Sequence, residues 1–232
     1  MRYYRRAKNR GTEQLSWLTS KHTFSFGSYY DPNHMGISAL RVINDDLVSP
    51  GAGFDTHGHR DMEIISYVLE GSIEHRDSLG NRFIIPAGEV QRMSAGTGIT
   101  HSEFNHSGNE SLRFLQIWIQ PNVAGSQPSY EQKSIQQSDV LTPLVTPDGR
   151  DGSLSMQQDA SIYRLQLAPG ETFSLAKSNR PGYLHILNGS GEIGQCTLSE
   201  GDGLGILDEA ITIKANQPLS ALWFDLPSVN HS

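Results

Sequence analysis

What most constrains this chain is that its second half repeats its first in faded form. Pro169-Gly170-Glu171-Thr172-Phe173-Ser174-Leu175-Ala176-Lys177-Ser178 lies over Pro50-Gly51-Ala52-Gly53-Phe54-Asp55-Thr56-His57-Gly58-His59. Leu187-Asn188-Gly189-Ser190 lies over Leu69-Glu70-Gly71-Ser72, and Ser199-Glu200-Gly201-Asp202 over Pro86-Ala87-Gly88-Glu89. Leu222-Trp223-Phe224-Asp225-Leu226-Pro227 matches Ile117-Trp118-Ile119-Gln120-Pro121. A repeat of short strands at this period implies two similar β-barrels in tandem. The 232 residues are enough for each to bury a core. We place the halves at residues 1–135 and 136–232.

Short apolar runs punctuated by 23 glycines and 11 prolines read as strands and turns throughout. Residues 14 to 36 mix aromatics with turn residues, as an ordered arm opening onto the first sheet. Ser38 to Asp46 alternates as a strand should, and Gly51 and Gly53 introduce a strand bearing His57 and His59. Glu63 to Asp77 is a long β-branched strand expected to bend at Gly71. A turn at Asp77 to Asn81 leads into extended Phe83 to Gln91. Ser94 to Gly98 then turns into a strand carrying His101 and Glu103, and Leu112 to Ile119 is a buried-type strand. Residues 121 to 152, rich in Gln, Ser, Pro and Asp, read as the connection to the second unit.

His57-Gly58-His59 and His101-Ser102-Glu103 are each spaced i, i+2, which on a strand puts both side chains on one face. Two neighbouring strands so equipped can close three imidazoles and one carboxylate around a single divalent metal. In the second half Ala176 and Ser178 replace the two histidines, so that unit is expected to be structural. Structural or solvated roles are assigned to the other histidines. His75 sits between Glu74 and Arg76, His106 follows Asn105 in a turn, and His185 is in the unit without ligands. His22, His34 and His231 have no partner at ligand spacing.

The net charge of −7 opposes a nucleic-acid surface. The one basic run, Arg2, Arg5, Arg6, Lys8 and Arg10, reads as a solvated terminus. Cys196 is the single cysteine, which fits a reducing compartment. No apolar stretch has the length of a membrane span, and the N-terminus lacks the apolar core of a secretory signal. A cytoplasmic monomer with neither nucleic-acid nor membrane partner is the expectation.

Gly51, His57-x-His59, Glu63 and Gly71, followed by Gly80 and Pro86-x-Gly88, resemble the motifs of the cupin superfamily. The usual second-motif histidine and asparagine would fall at Gln91 and Ala95, and neither is present; the histidine sits instead at His101. That departure resembles the pirin family, as do Ser38 to Asp46, Ser94 to Glu103 and Gln116-Ile117-Trp118. The likeness covers about residue 3 to residue 227 and is closest to bacterial pirin-like proteins with quercetin 2,3-dioxygenase activity. It implies an all-β fold of two antiparallel, jelly-roll-like cupin barrels. It also implies one mononuclear metal held by His57, His59, His101 and Glu103. In many cupins the glutamate at position 63 is a direct ligand. The complete set of four makes Glu63 instead a partner behind the metal, or a counter-ion of Arg60 or Arg92.

Nitrogen and oxygen donors suit Fe, Mn, Co, Ni, Cu or Zn, with iron the expected occupant. Two open positions in an apolar barrel suit O2 chemistry on a chelating substrate. A flavonol chelates through its 3-hydroxyl and 4-carbonyl, and the resemblance implies ring cleavage with loss of CO. Glu103 is the expected acceptor of the hydroxyl proton, with Glu63 in reserve. The competing reading is a non-enzymatic, metal- or redox-responsive protein that regulates a protein partner.

Overall fold

The computed structural model describes residues 2–228, so His231 lies outside the described residues. The first half supplies β1 (Arg2–Arg5), β2 (Gly11–Gln14), β3 (Leu18–His22), β4 (Leu40–Val48), β5 (Gly53–His59) and β6 (Glu63–Glu70). It continues with β7 (Ser72–Asp77), β8 (Arg82–Pro86), β9 (Glu89–Ser94), β10 (Ile99–Asn105), β11 (Leu112–Ile119) and β12 (Ser129–Ser134). The second half supplies β13 (Leu141–Thr146), β14 (Leu154–Ser155), β15 (Ser161–Leu167), β16 (Thr172–Leu175) and β17 (Gly182–Asn188). It ends with β18 (Ser190–Ile193), β19 (Cys196–Ser199), β20 (Gly203–Ile206), β21 (Ile211–Ala215) and β22 (Leu219–Asp225). Among the described residues the helical elements are two 3-10 turns, Ala7–Asn9 and Arg150–Gly152.

The repeat read in the sequence is a repeat of topology. One barrel pairs a four-stranded sheet, β5-β10-β7-β8, with a seven-stranded sheet, β12-β9-β6-β11-β4-β3-β2. The other pairs β16-β21-β18-β19 with β1-β20-β17-β22-β15-β13-β14. Gly71 makes the change of sheet between β6 and β7. Its φ of +76° breaks the long strand, and a Cβ there would meet the Ser111 carbonyl at 2.8 Å.

Strand alternation divides each large sheet between two cores. On β6, Ile64 and Val68 face the barrel interior, whereas Ile65 and Tyr67 join a layer shared by both halves. That layer includes Leu115, Ile117 and Ile119 of β11, and Tyr183, Leu187, Leu222 and Phe224 from the second half. The second barrel has an apolar core, built from residues such as Leu165, Leu184, Ile193, Leu204, Ile213 and Ala221.

Two segments depart from the sequence reading. The basic run is not a solvated terminus. β1 pairs antiparallel with β20, so residues 2–5 complete the sheet of the opposite half. Arg5 is buried and donates from Nε to the Thr23 carbonyl at 2.7 Å, while Arg6 pairs with Asp202 at 2.9 Å. Internal acceptors satisfy these cations, which composition alone does not reveal. Likewise, the stretch read as a connection contains β12 and β13. Ser129–Ser134 is polar because it is an edge strand, paired on one side with β9.

Candidate metal centre

β5 and β10 lie side by side, with His101 opposite His57 and Ile99 opposite His59. The register shifts between His101 and Glu103, where Glu103 falls opposite Phe54. Gly53 allows this close approach: a Cβ there would stand 2.4 Å from the Glu103 carbonyl oxygen. The ring centroids of His57, His59 and His101 are 4.5 to 4.9 Å apart.

These rings are ready to act as ligands. The Nε2 atoms of His59 and His101 face each other at 3.0 Å. The Nδ1 of His57 lies 2.7 Å from the Asp55 carbonyl, so its proton belongs on Nδ1 and its Nε2 carries the lone pair. Burial, followed by the neighbouring imidazoles, pushes His59 down to about 4 and His101 down to about 3. Both are therefore neutral at pH 7, and a neutral imidazole has one bare ring nitrogen to offer a cation.

Glu103 is buried and held from below. Ser66 donates to its Oε1 at 2.9 Å, and the Gln116 amide reaches its Oε2 at 3.5 Å. Ser66 and Gln116 belong to a polar belt crossing the floor of the barrel. Gln91, Ser66, Gln116, Asn44 and His22 are successive cross-strand neighbours. Gln91 donates toward Ser66 at 3.4 Å, Tyr130 donates to Gln91 at 3.2 Å, and Asn44 lies 2.8 Å from His22 Nδ1. Above the belt the wall is apolar: Ile64, Met93, Ala95 and Ile99 pack with Met62 and Trp118. The Trp118 indole stands edge-to-face with His59 at 5.0 Å.

His57, His59 and His101 each offer a nitrogen within 4.8 Å of the others'. A second group overlaps the first: His75, His101 and a Glu103 oxygen lie within the same limit. The four residues singled out from the sequence are thus brought together around His101, and imidazole with carboxylate is a donor set that suits a divalent transition metal. His75, read from sequence as structural or solvated, is fully buried against this cluster, 5.4 Å from His101 by ring centroids. The sequence signal for it is His75-Arg76-Asp77, an i, i+2 pair like His57 and His59.

Glu63 lies outside both groups. Its carboxylate, on the face of β6 opposite Ile64 and Ser66, accepts from Ser94 at 2.8 Å, and burial raises its pKa. Arg92 is an electrostatic neighbour of Glu63 but donates to Glu131 and Ser129. The remaining described histidines have other surroundings: His22 on Asn44, His34 on Tyr3, His106 beside Glu74, and His185 buried in the second half. In the second barrel, register puts Ile213 opposite Phe173 as Glu103 stands opposite Phe54. Gly191 opposite Ala215 and Glu192 opposite Lys214 extend to Ile193 beside Ile213, as His75 stands opposite Glu103, and both isoleucines belong to the second barrel's apolar cluster.

Residues 3–119 match the Pirin family model, and residues 143–226 match that of the quercetinase C-terminal cupin domain. The chain is 49% identical to a quercetin 2,3-dioxygenase of Escherichia coli strain K12, over 99% of this chain and all of that one. It is 46% identical to a pirin-like protein of Caulobacter vibrioides, over 88% of this chain and 90% of that one. Among solved structures, the bacterial pirin YhhW from Escherichia coli in complex with nickel(II) superposes with a TM-score of 0.95. That pair is 49% identical, covering 99% of this chain and all of that one.

Proposed function

Because the chain belongs to the pirin family, we propose that it is a metal-dependent quercetin 2,3-dioxygenase, cleaving flavonols such as quercetin with O2 and release of CO. The observation that carries this reading is the convergence of the His57, His59 and His101 rings beside the buried Glu103 carboxylate. We propose these four residues as the metal ligands. The centre takes a divalent transition metal, and iron is our proposed occupant; nickel(II) is the ion in the YhhW complex. When bound, the ion supplies Lewis acidity toward a chelating hydroxyl–carbonyl pair and redox access to O2.

The chain's own groups do the rest. Glu103 accepts the proton of the flavonol 3-hydroxyl. Ser66 and Gln116 hold that carboxylate as an acceptor, because both present donors to it. The Trp118 and Met62 wall excludes water from the side of His59. We further propose two cupin domains, 1–135 and 136–232, with residues 2–5 docked on the second. We also propose a cytoplasmic monomer without nucleic-acid or membrane partners; the acidic charge opposes a nucleic-acid surface and the single cysteine fits a reducing compartment.

The test is CO release and O2 uptake from quercetin by metal-loaded protein. His57→Ala and Glu103→Ala should each lower the rate at least about 100-fold, with the unfolding midpoint largely kept. A loaded protein that releases no CO sinks the dioxygenase reading in favour of a metal-responsive binding protein.

A further inference from the structure

The Nδ1 atoms of His75 and His101 are both buried, and neither has a hydrogen-bond partner. Such orphans are uncommon, and two on adjacent strands call for one explanation. β7 and β10 are paired, with His75 opposite Glu103 and Asp77 opposite His101.

Tautomers make the two atoms complementary. His101 turns Nε2 toward His59, so ligation through Nε2 leaves its proton on Nδ1, a donor. His75 has the reverse arrangement. Its Nε2 lies 3.1 Å from Asp77 Oδ2, and both side chains are fully buried. Asp77 already accepts the Leu79 N–H at 2.9 Å, the Asn81 N–H at 3.1 Å and the Asn81 amide at 2.9 Å. With three N–H donors already turned to it, the Asp77 carboxylate is an acceptor here, so it takes the Nε2 proton and leaves His75 Nδ1 as a bare lone pair.

We propose that Asp77 and His75 are positioning residues for His101, linked as Asp77 Oδ2···H–Nε2 His75 and His75 Nδ1···H–Nδ1 His101, the second link closing when an ion seats His101. The proposal rests on the reading of His101 as a metal ligand. His57 has the short form of the same device, its Nδ1 directed at the Asp55 carbonyl. In the second barrel Ile193 stands where His75 does, so this buried polar chain is confined to the barrel with the ligands. Its effect is to fix the ring plane of His101 and raise its basicity, as outer partners of metal-bound histidines do.

The experiment uses the full chain and nickel(II), titrated against a competing chelator. Asp77→Asn is nearly isosteric; its amide can donate to His75 Nε2, moving the proton to Nδ1 and setting two donors against each other. Nickel affinity should fall about 10- to 100-fold in this variant, and the visible spectrum of the cobalt(II)-loaded protein should shift. Nitrogen-15 NMR of the unmodified metal-free protein should show His75 as the Nε2–H tautomer, a readout that needs no variant to fold. An Nδ1–H tautomer of His75, or unchanged affinity and spectrum in folded Asp77→Asn, overturns the inference. Wild-type protein that binds no nickel, or His57→Ala that binds it as well, overturns instead the ligand reading beneath it.

Discussion

A buried histidine shows how much the surroundings of one side chain decide. His185, on β17, is buried with Arg10, Asp45, Arg113 and Asp202 as its charged neighbours. Burial there, reinforced by Arg10, pushes its pKa down to about 3. The sign follows from linkage: the unfolded chain takes a proton on this ring near pH 6.5, whereas the native state does so only near 3. The neutral ring's contribution is complete above 6.5 and is lost as pH falls toward 3. Between pH 7.5 and 4.5, His185→Phe should therefore lose about 2–3 kcal/mol less stability than wild type. Equilibrium urea unfolding at the two pH values measures this. Equal losses would mean that the ring is not buried neutral. The apolar run Tyr183-Leu184-His185-Ile186-Leu187 marks a buried strand in the sequence, and the fold decides what covers the ring. His57, His59, His101 and Glu103 were legible because i, i+2 spacing survives in any strand. His75 carries the same spacing with Asp77, masked in sequence by its charged neighbours, Glu74 and Arg76, which pair with each other outside the barrel.

Strands place these residues, and the pairing of β5 with β10 matters most. Its geometry depends on Gly53, where the backbone of Glu103 and Phe104 comes within 2.5 Å of any Cβ. Gly53→Ala should push β10 outward, cost about 2–4 kcal/mol of stability and weaken nickel binding together with quercetin cleavage. Thermal unfolding and chelator competition on the same preparation check both effects. Full retention of both would show that the strands tolerate separation. Here the sequence was informative about punctuation and less so about partners. Gly71 was legible as a bend, but its consequence, a change of sheet, depends on β11, whose Ser111–Leu112 backbone leaves no room for a side chain. Polar β12 resembles a connection in sequence because edge strands need only one satisfied flank and can dispense with apolar alternation.

At the scale of the molecule, the two seven-stranded sheets share one apolar layer in which Phe114's neighbour Leu115 and the distant Phe224 are equally dry. β1 ties the halves further by adding the chain's first strand to the second half's sheet. The halves should consequently unfold in a single transition. Phe224→Ala, far from the metal centre in sequence, should cost about 3–5 kcal/mol and lower the midpoint for both barrels together. Calorimetry with the near-ultraviolet signal of the tryptophans would detect it; two separated transitions would show the shared layer to be weak.

From the residues alone follow the all-β class, the duplication, the replacement of His57 and His59 in the second copy, and the two i, i+2 pairs proposed as ligands. Each of these is written in local spacing, turn chemistry and residue type. Tertiary structure alone decided the exchange of β1, the burial of Arg5, what covers the His185 ring, the turning of Glu63 away from the centre, and the placing of His75 behind His101. These outcomes depend on which strands become neighbours and which face of each is covered, and no single segment carries that information.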